Sequence, residues 1–280
     1  MGLRVDIEGY SGFRTRVEQR DGHIVFIKTS SKNRLEKQCK KQIWFRQQIE
    51  DASIGHIFKI PEVYKQNKKN RCYSFEMQYI NGRNILSELE YSSYDRLDYI
   101  IECILYLIDW EISRCTPQKI DAELFKEKIG YIEKKTGQDI SKITDRIVDL
   151  SNQVSGKYIP VGICHGDLTL SNMLFGNKIV LLDFLDSFVE TPLQDIGKLL
   201  QEVDLKWSLQ MSKASYDVFK IRLGYNYFKD RIYREIEKLY FDKEIVKLFH
   251  VMVQARLFPY VKDDVMFKKI YDSCEKIMEG

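Results

Sequence analysis

The stretch ICHGDLTLSNMLF, residues 163–175, sets a carboxylate, Asp167, directly after a His-Gly pair and an amide, Asn172, five positions later. The polar loop lies between two apolar runs, and a second acid, Asp183, closes the next one, KIVLLDF. If the strands ending at His165 and Asp183 pair, Asp167, Asn172 and Asp183 converge at one end of them and offer three oxygen groups to a single cleft. Hard oxygen groups suit magnesium, which keeps several waters and bridges to substrate phosphates. Phosphoryl transfer requires this layout: one carboxylate positions the attacking hydroxyl, and an amide and a second carboxylate hold metal. On that reading Asp167 is the base, and Asn172 and Asp183 are the metal ligands.

The elements that must position these groups follow from periodicity. RVDI, FRTRVEQ and HIVFIKT alternate or run apolar with β-branched residues, and Asp21-Gly22 between the last two is a hairpin signal, so a three-stranded meander is expected. From Lys32 to about Glu50 the pattern is helical, with Leu35, Cys39, Ile43 and Trp44 on one stripe. PEVYKQ and CYSFEMQYI read as two more strands around the polar turn NKKN. Five strands and one helix make a small β-rich lobe, residues 1–82. After Gly82 the period is mostly helical, near 93–114, 119–135, 139–153, 194–205 and 213–240 and again toward the C-terminus. Residues 83–280 therefore read as a larger helical lobe carrying the polar loop, with YIPVGICH and KIVLLDF as short strands. The class is α+β.

Composition narrows the function. The chain has 280 residues, 44% hydrophobic and 12% aromatic, enough for a substantial core in one large domain or two lobes. Six scattered cysteines show no CxxC pair and no histidine at zinc spacing, so they read as reduced thiols in a cytoplasmic protein. The charged start MGLRVDIEGY lacks the apolar core of a signal peptide, and the most apolar stretch, residues 100–112, is broken by Glu102 and Asp109, so no membrane partner is expected. Residues 1–82 carry a net charge of +7 and residues 83–280 one of −4. The basic runs KNRLEKQCKK and KQNKKNR do not interleave aromatics, so they read as solvated helix faces and no nucleic-acid partner is expected.

The motifs together resemble the aminoglycoside phosphotransferase and choline kinase family, within the protein-kinase-like fold. HGDLTLSN resembles its HGDxxxxN catalytic loop, LLDF its metal-binding aspartate segment and PLQDIGKL the helix opening that follows. FIK, ending in Lys28, resembles the strand lysine that meets nucleotide phosphates, and FEMQYINGRNIL the hinge between lobes. The resemblance covers residues 5–205. It implies a bilobal fold with the catalytic loop and the acceptor site in the larger lobe, ATP and Mg2+ as cofactors, and ATP stacked under the strand lobe. By the same analogy Met77 sits behind the adenine, while the carbonyl of Gln78 and the N–H of Ile80 make its hydrogen bonds. Glu8, Gly9, Tyr10, Ser11 and Gly12 form the phosphate-covering turn, and Glu36, or Gln38 under a two-residue shift, partners Lys28.

Neighbouring residues take plainer roles. His165 reads as a buried hydrogen-bonding residue that shapes the loop, since Asp167 already fills the place of base. Asp195 reads as the cap of a helix beginning near Ile196 and a brace for the loop, and Asp186 as a turn residue, an outer-sphere group or a substrate contact. Only eight residues separate Asp183 from Pro192, too few for the long segment on which protein kinases dock a peptide. The acceptor is then a small hydroxyl compound, a sugar or sugar-like metabolite first. An aminoglycoside is the alternative, although such a polycation calls for a more acidic pocket than −4 over the second part suggests. A nucleotide-binding pseudokinase acting as an interaction module is the reading from another class, opposed by the joint presence of Lys28, Asp167, Asn172 and Asp183.

Overall fold

The computed structural model describes residues 4–8, 13–20 and 22–279. It divides into two compact units: the chain through Asn84 together with Ser171–Asp186, and Ile85–Leu170 together with the chain from Ser187 onward. A single boundary after Gly82 does not anticipate the return of residues 171–186 to the first unit.

The first unit contains strands β1 (Arg4–Glu8), β2 (Arg14–Arg20), β3 (His23–Ser30), β4 (Phe58–Lys59), β5 (Val63–Lys69) and β6 (Cys72–Gln78), with helix α1 (Arg34–Glu50) after β3. Five of the strands form an antiparallel sheet in the order β1-β2-β3-β6-β5. Alternation along β6 sends Tyr73, Phe75 and Met77 to one face, where they pack with Phe13 and with Leu35 and Cys39 of α1. The buried stripe of α1 is Leu35, Gln38, Cys39, Gln42, Phe45 and Ile49, and Trp44 remains 43% exposed, which corrects the stripe through Trp44. Two glutamines thus sit where an apolar count looks for hydrophobics. Gln42 is accommodated because its Nε2 donates to the Pro61 carbonyl at 2.9 Å. The β5–β6 turn also differs from the sequence reading. It is formed by Asn70 and Arg71, at φ 46° and 62°, while Lys68 and Lys69 stay in the strand. A two-residue loop with both φ positive matches the twist of its flanking strands.

Residues 171–186 add β9 (Met173–Phe175) and β10 (Ile179–Leu181), an antiparallel hairpin whose β10 also runs parallel to β4. This corrects the expected pairing of the strand ending at His165 with the one ending at Asp183. Three residues between Phe175 and Ile179 suffice to close β9 onto β10. YIPV forms β8 (Tyr158–Val161), which pairs instead with β7 (Thr116–Lys119).

The second unit is helical: α2 (Ile85–Tyr91), α3 (Tyr94–Ser113), α4 (Ala122–Lys135), α5 (Ser141–Val154), α6 (Pro192–Leu205), α7 (Trp207–Met211), α8 (Val218–Ile236), α9 (Lys243–Ala255) and α10 (Asp264–Glu279). Among the described residues no helix is long and apolar enough to cross a membrane. α6 lies at its centre, buried at every position except Asp204. Thr191 caps it, its hydroxyl accepting from Leu193 N at 3.3 Å, and Pro192 supplies the pre-set φ of the first turn. Halfway along, Gly197 lets α6 approach α9: a Cβ there would stand 3.0 Å from the Phe249 carbonyl oxygen and 3.0 Å from Val253 Cγ2.

That contact can be tested. Gly197→Ala must push backbone apart rather than a flexible side-chain tip, so it is expected to destabilise the protein by about 1–3 kcal/mol, despite alanine's better helix propensity. Urea unfolding monitored by circular dichroism reads the change; a variant as stable as the parent would mean that α6 and α9 separate freely at this point.

Candidate functional site

In the second unit one side chain binds the loop carrying Asp167 through several of its backbone amides. The Asp195 carboxylate accepts backbone N–H bonds from His165 at 2.6 Å, Gly166 at 2.8 Å and Leu168 at 3.3 Å. Asp195 is fully buried, and these donors replace the water that a buried carboxylate would otherwise lose. The sequence reading that Asp195 caps its helix is corrected, because Thr191 takes that place and α6 begins at Pro192, leaving Asp195 free for the loop. Gly166, at φ 85°, makes the sharp bend that brings successive N–H groups onto one carboxylate. His165, with no exposed surface, stays inside the loop: its Nδ1 accepts from Asp167 N at 3.2 Å.

Asp167 itself faces a cation that the sequence reading did not single out. Lys198 Nζ lies 3.0 Å from Asp167 Oδ1 and donates to Gln201 Oε1 at 3.3 Å. Burial alone would push the Asp167 carboxyl up, but the Lys198 ammonium, helped by His165 and Arg256, holds it below the usual carboxylate range. Burial pushes Lys198 down while Asp167 draws it back up. The signal for Lys198 was available: in PLQDIGKL it follows Asp195 by three residues, on the same side of a helix.

In the first unit the β9–β10 ladder positions the other two oxygen groups. Leu182 N donates to Asn172 O at 2.9 Å, extending the hairpin by one pair and bringing the backbones at Asn172 and Asp183 close together at its open end. Asp183 adopts φ 61°, a left-handed conformation that costs a non-glycine residue roughly 1–2 kcal/mol and that collects at functional sites. Its carboxylate pairs with the ammonium of Lys28, a buried residue of β3. Lys28 therefore meets Asp183, and Glu36 is not its partner: Glu36 pairs with Lys68 at 2.7 Å and Lys40 at 3.0 Å. The phase of α1 explains the correction. Glu36 stands beside the buried stripe, whereas Gln38 lies on it, 2% exposed, with no hydrogen-bond partner for its Oε1 among the described residues. Asp186 forms an exposed pair with Lys37 at 3.3 Å.

The remaining expected nucleotide contacts divide. Met77 is buried in the sheet core beside α1, its Sδ 3.4 Å from Gln42 Nε2. Gln78 and Ile80 line a cavity of about 510 Å³ bounded by Arg46, Glu50, Lys59 and the β9–β10 turn. Neither Lys28, Asn172 nor Asp183 lines it. Gly9, Tyr10, Ser11 and Gly12 lie outside the described residues, and Glu8 ends β1.

Asn172 and Asp183 fit a magnesium ion of the kind that phosphates and water complete. They offer one amide and one carboxylate oxygen donor on adjacent backbone. Among the described residues no group of three or more His, Cys, Asp or Glu is placed to hold a metal unaided.

A sequence model of the Phosphotransferase enzyme family matches residues 6–227. No curated protein matches the chain by sequence. Solved structures do match. A thermostable mutant of aminoglycoside phosphotransferase APH(4)-Ia, in ternary complex with ADP and hygromycin B, superposes with TM-score 0.67 at 11% identity, over 99% of this chain and 93% of that one. Spectinomycin phosphotransferase APH(9)-Ia, in complex with ADP and spectinomycin, gives 0.54 at 12% identity, over 99% and 91%. A protein assigned as a fructosamine-3-kinase from Haemophilus somnus 129PT gives 0.57 at 12% identity, over 99% and 90%. At such identities the likeness carries the fold, a small antiparallel sheet unit followed by a larger helical one, as in protein kinases.

The three N–H bonds to Asp195 predict a coupled loss. Asp195→Ala leaves buried backbone donors without an acceptor, so it is expected to cost about 3 kcal/mol or more in urea unfolding. Amide exchange at His165, Gly166 and Leu168 should accelerate in the same variant. Unchanged protection at these three amides would mean that the loop is held by something other than this carboxylate.

Proposed function

Because the chain belongs to the phosphotransferase enzyme family, we propose that it transfers the γ-phosphoryl group of ATP to a hydroxyl of a small molecule, a sugar or sugar-like metabolite. The observation that carries this reading is the fixed, ionised Asp167 on a loop clamped by Asp195. A carboxylate held below its usual range is charged at neutral pH and ready to accept the acceptor's hydroxyl proton. As that proton moves to Asp167, the acceptor oxygen bonds to the γ-phosphorus. The bond from phosphorus to the β–γ bridging oxygen breaks, and ADP leaves with the electron pair.

Asn172 and Asp183 would hold magnesium, which when bound offsets the charge of the phosphate oxygens. Lys28 presents a buried ammonium beside Asp183 and serves as the point charge for the phosphates. Met77 backs the adenine, with the Gln78 carbonyl and the Ile80 N–H as its hydrogen-bonding groups. Glu36 has no part in this, since Lys40 and Lys68 occupy it. The helices after residue 205 wall the acceptor.

An aminoglycoside acceptor is the second reading, favoured by the ligands hygromycin B and spectinomycin of two structural neighbours. It is opposed by the mild net charge of −4 over residues 83–280 and by the lysine beside the base. ATP consumption measured across neutral sugars, sugar acids and aminoglycosides separates the two. No ATP turnover with any acceptor would favour the interaction-module reading instead.

Two outcomes test the assigned roles. Asp167→Asn should bind ATP normally yet turn over more slowly by about two orders of magnitude or more, as removal of a positioned base requires; near-normal turnover sinks the role. Asp183→Ala should abolish magnesium-dependent ATP binding in titration calorimetry, while Asn172→Ala weakens it less because an amide is a neutral ligand. The reverse order would exchange the two roles.

A further inference from the structure

α6 breaks the rule for a helix buried on all sides, which is ordinarily apolar. Gln194, Asp195, Lys198, Gln201 and Glu202 are all buried on it. Two of them have structural tasks. Asp195 clamps the loop, and Glu202 accepts from the Ser208 N–H and hydroxyl and from the Tyr225 hydroxyl. Gln194, Lys198 and Gln201 fall at i, i+4 and i+7 and so share one stripe. On that stripe both amide atoms of Gln194 and the Nε2 of Gln201 have no hydrogen-bond partner among the described residues. Buried polar atoms in native proteins are paired, so a ligand or ordered water must complete this stripe.

Lys198 stands at its centre. Two of its three N–H donors are used, on Asp167 Oδ1 at 3.0 Å and Gln201 Oε1 at 3.3 Å. The side chains of Lys198 and Asp167 are 10% and 21% exposed, enclosed yet open to a small molecule. Stability does not require the pair as a whole, because a buried ion pair is commonly matched or surpassed by apolar side chains of similar volume, whereas removal of one partner strands the other. Resting on the reading of Asp167 as base, we propose that Lys198 is an acceptor-contacting residue. It holds the Asp167 carboxylate against α6 and gives its remaining N–H to the acceptor, so that the subsite takes uncharged or anionic polyhydroxy compounds and rejects polycations.

The charges around Asp167 support the selectivity. His165 comes from its own loop, Lys198 and Asp195 from α6, and Arg256 from the residue that follows α9. Asp195 is spent on three backbone donors. A polycation would therefore set ammonium groups against the Lys198 ammonium, and like-charge contacts of this kind exclude partners. Amides and one ammonium instead suit the hydroxyls of a polyol.

The test uses the full chain, wild type, Lys198→Met and Lys198→Arg, with glucose, gluconate and hygromycin B as acceptors and circular dichroism as the check on folding. Wild type should turn over glucose or gluconate with kcat/KM about tenfold or more above that for hygromycin B. Lys198→Met should lower kcat/KM for the preferred polyol about tenfold or more, leave the KM for ATP nearly unchanged and narrow the gap to hygromycin B. Its acidic pH–rate limb should move up, because burial of Asp167 then acts without the ammonium. Lys198→Arg should recover part of the loss. A folded Lys198→Met with unchanged acceptor kinetics and an unmoved acidic limb, or a wild type that prefers hygromycin B, overturns the proposal. Acceptor binding without ATP, followed by calorimetry, keeps the two readings apart. Polyol binding that Lys198→Met abolishes, with no ATP turnover in wild type, sinks the phosphotransferase reading and keeps Lys198 as a ligand contact; binding unaffected by the substitution sinks Lys198 alone.

Discussion

The helical unit depends on the mutual satisfaction of the Asp195 carboxylate and three backbone N–H groups of residues 165–168. Neither side is tolerable alone: an unpaired buried carboxylate and unpaired buried amides each carry a large desolvation cost. Together they leave the loop a single conformation, and Gly166 at φ 85° allows the bend that this requires. Asp195 in turn can hold the loop only because Thr191 relieves it of capping duty and Gly197 lets α6 settle onto α9. The position of Asp167 is therefore a consequence of how α6 starts and how it packs.

The strand unit solves a comparable problem with an ion pair. Lys28 is 2% exposed, and a lysine so buried needs a partner. The ladder of β9 and β10 supplies one by carrying Asp183 into a left-handed conformation beside it. The pair offsets both the strain at Asp183 and the burial of Lys28, and removal of the Asp183 charge leaves the buried ammonium without it. Glu36 is drawn outward by two solvent-facing lysines, and such exposed pairs add little to stability.

What could be read from sequence was whatever depends on local period. The strands of the sheet, the helix after β3 and the long helices of the second unit follow from alternation and the 3.6-residue repeat. What could not be read depends on rotation about an axis or on partners distant in the chain. Trp44 and Phe45 are adjacent and both aromatic, yet only Phe45 faces inward, because the stripe also buries Gln38 and Gln42. The same rotation turns Glu36 outward and Gln38 inward. YIPV paired with Thr116–Lys119 rather than with the segment at Asp183 because the short loop 176–178 gives β10 a nearer partner. Asp195 was read as both cap and brace because both call for an acid near a helix start; the bonds to residues 165–168 bear out the brace, and Thr191 takes the cap.

The segment between Asp183 and α6 argues for a small acceptor on physical grounds that the count of eight residues only hints at. In the first unit its near end is tied, with Lys41 Nζ donating to the Leu185 carbonyl at 2.7 Å and Asp186 paired to Lys37. In the second unit its far end is tied as well. Glu190 accepts from Ser187 N at 2.7 Å through its carboxylate and from Gly162 N at 2.8 Å through its carbonyl, and Thr191 caps α6 directly after it. A chain held at both ends by its backbone and side-chain bonds has no length left to present as an extended platform. The segment therefore offers a peptide no extended strand to lie along.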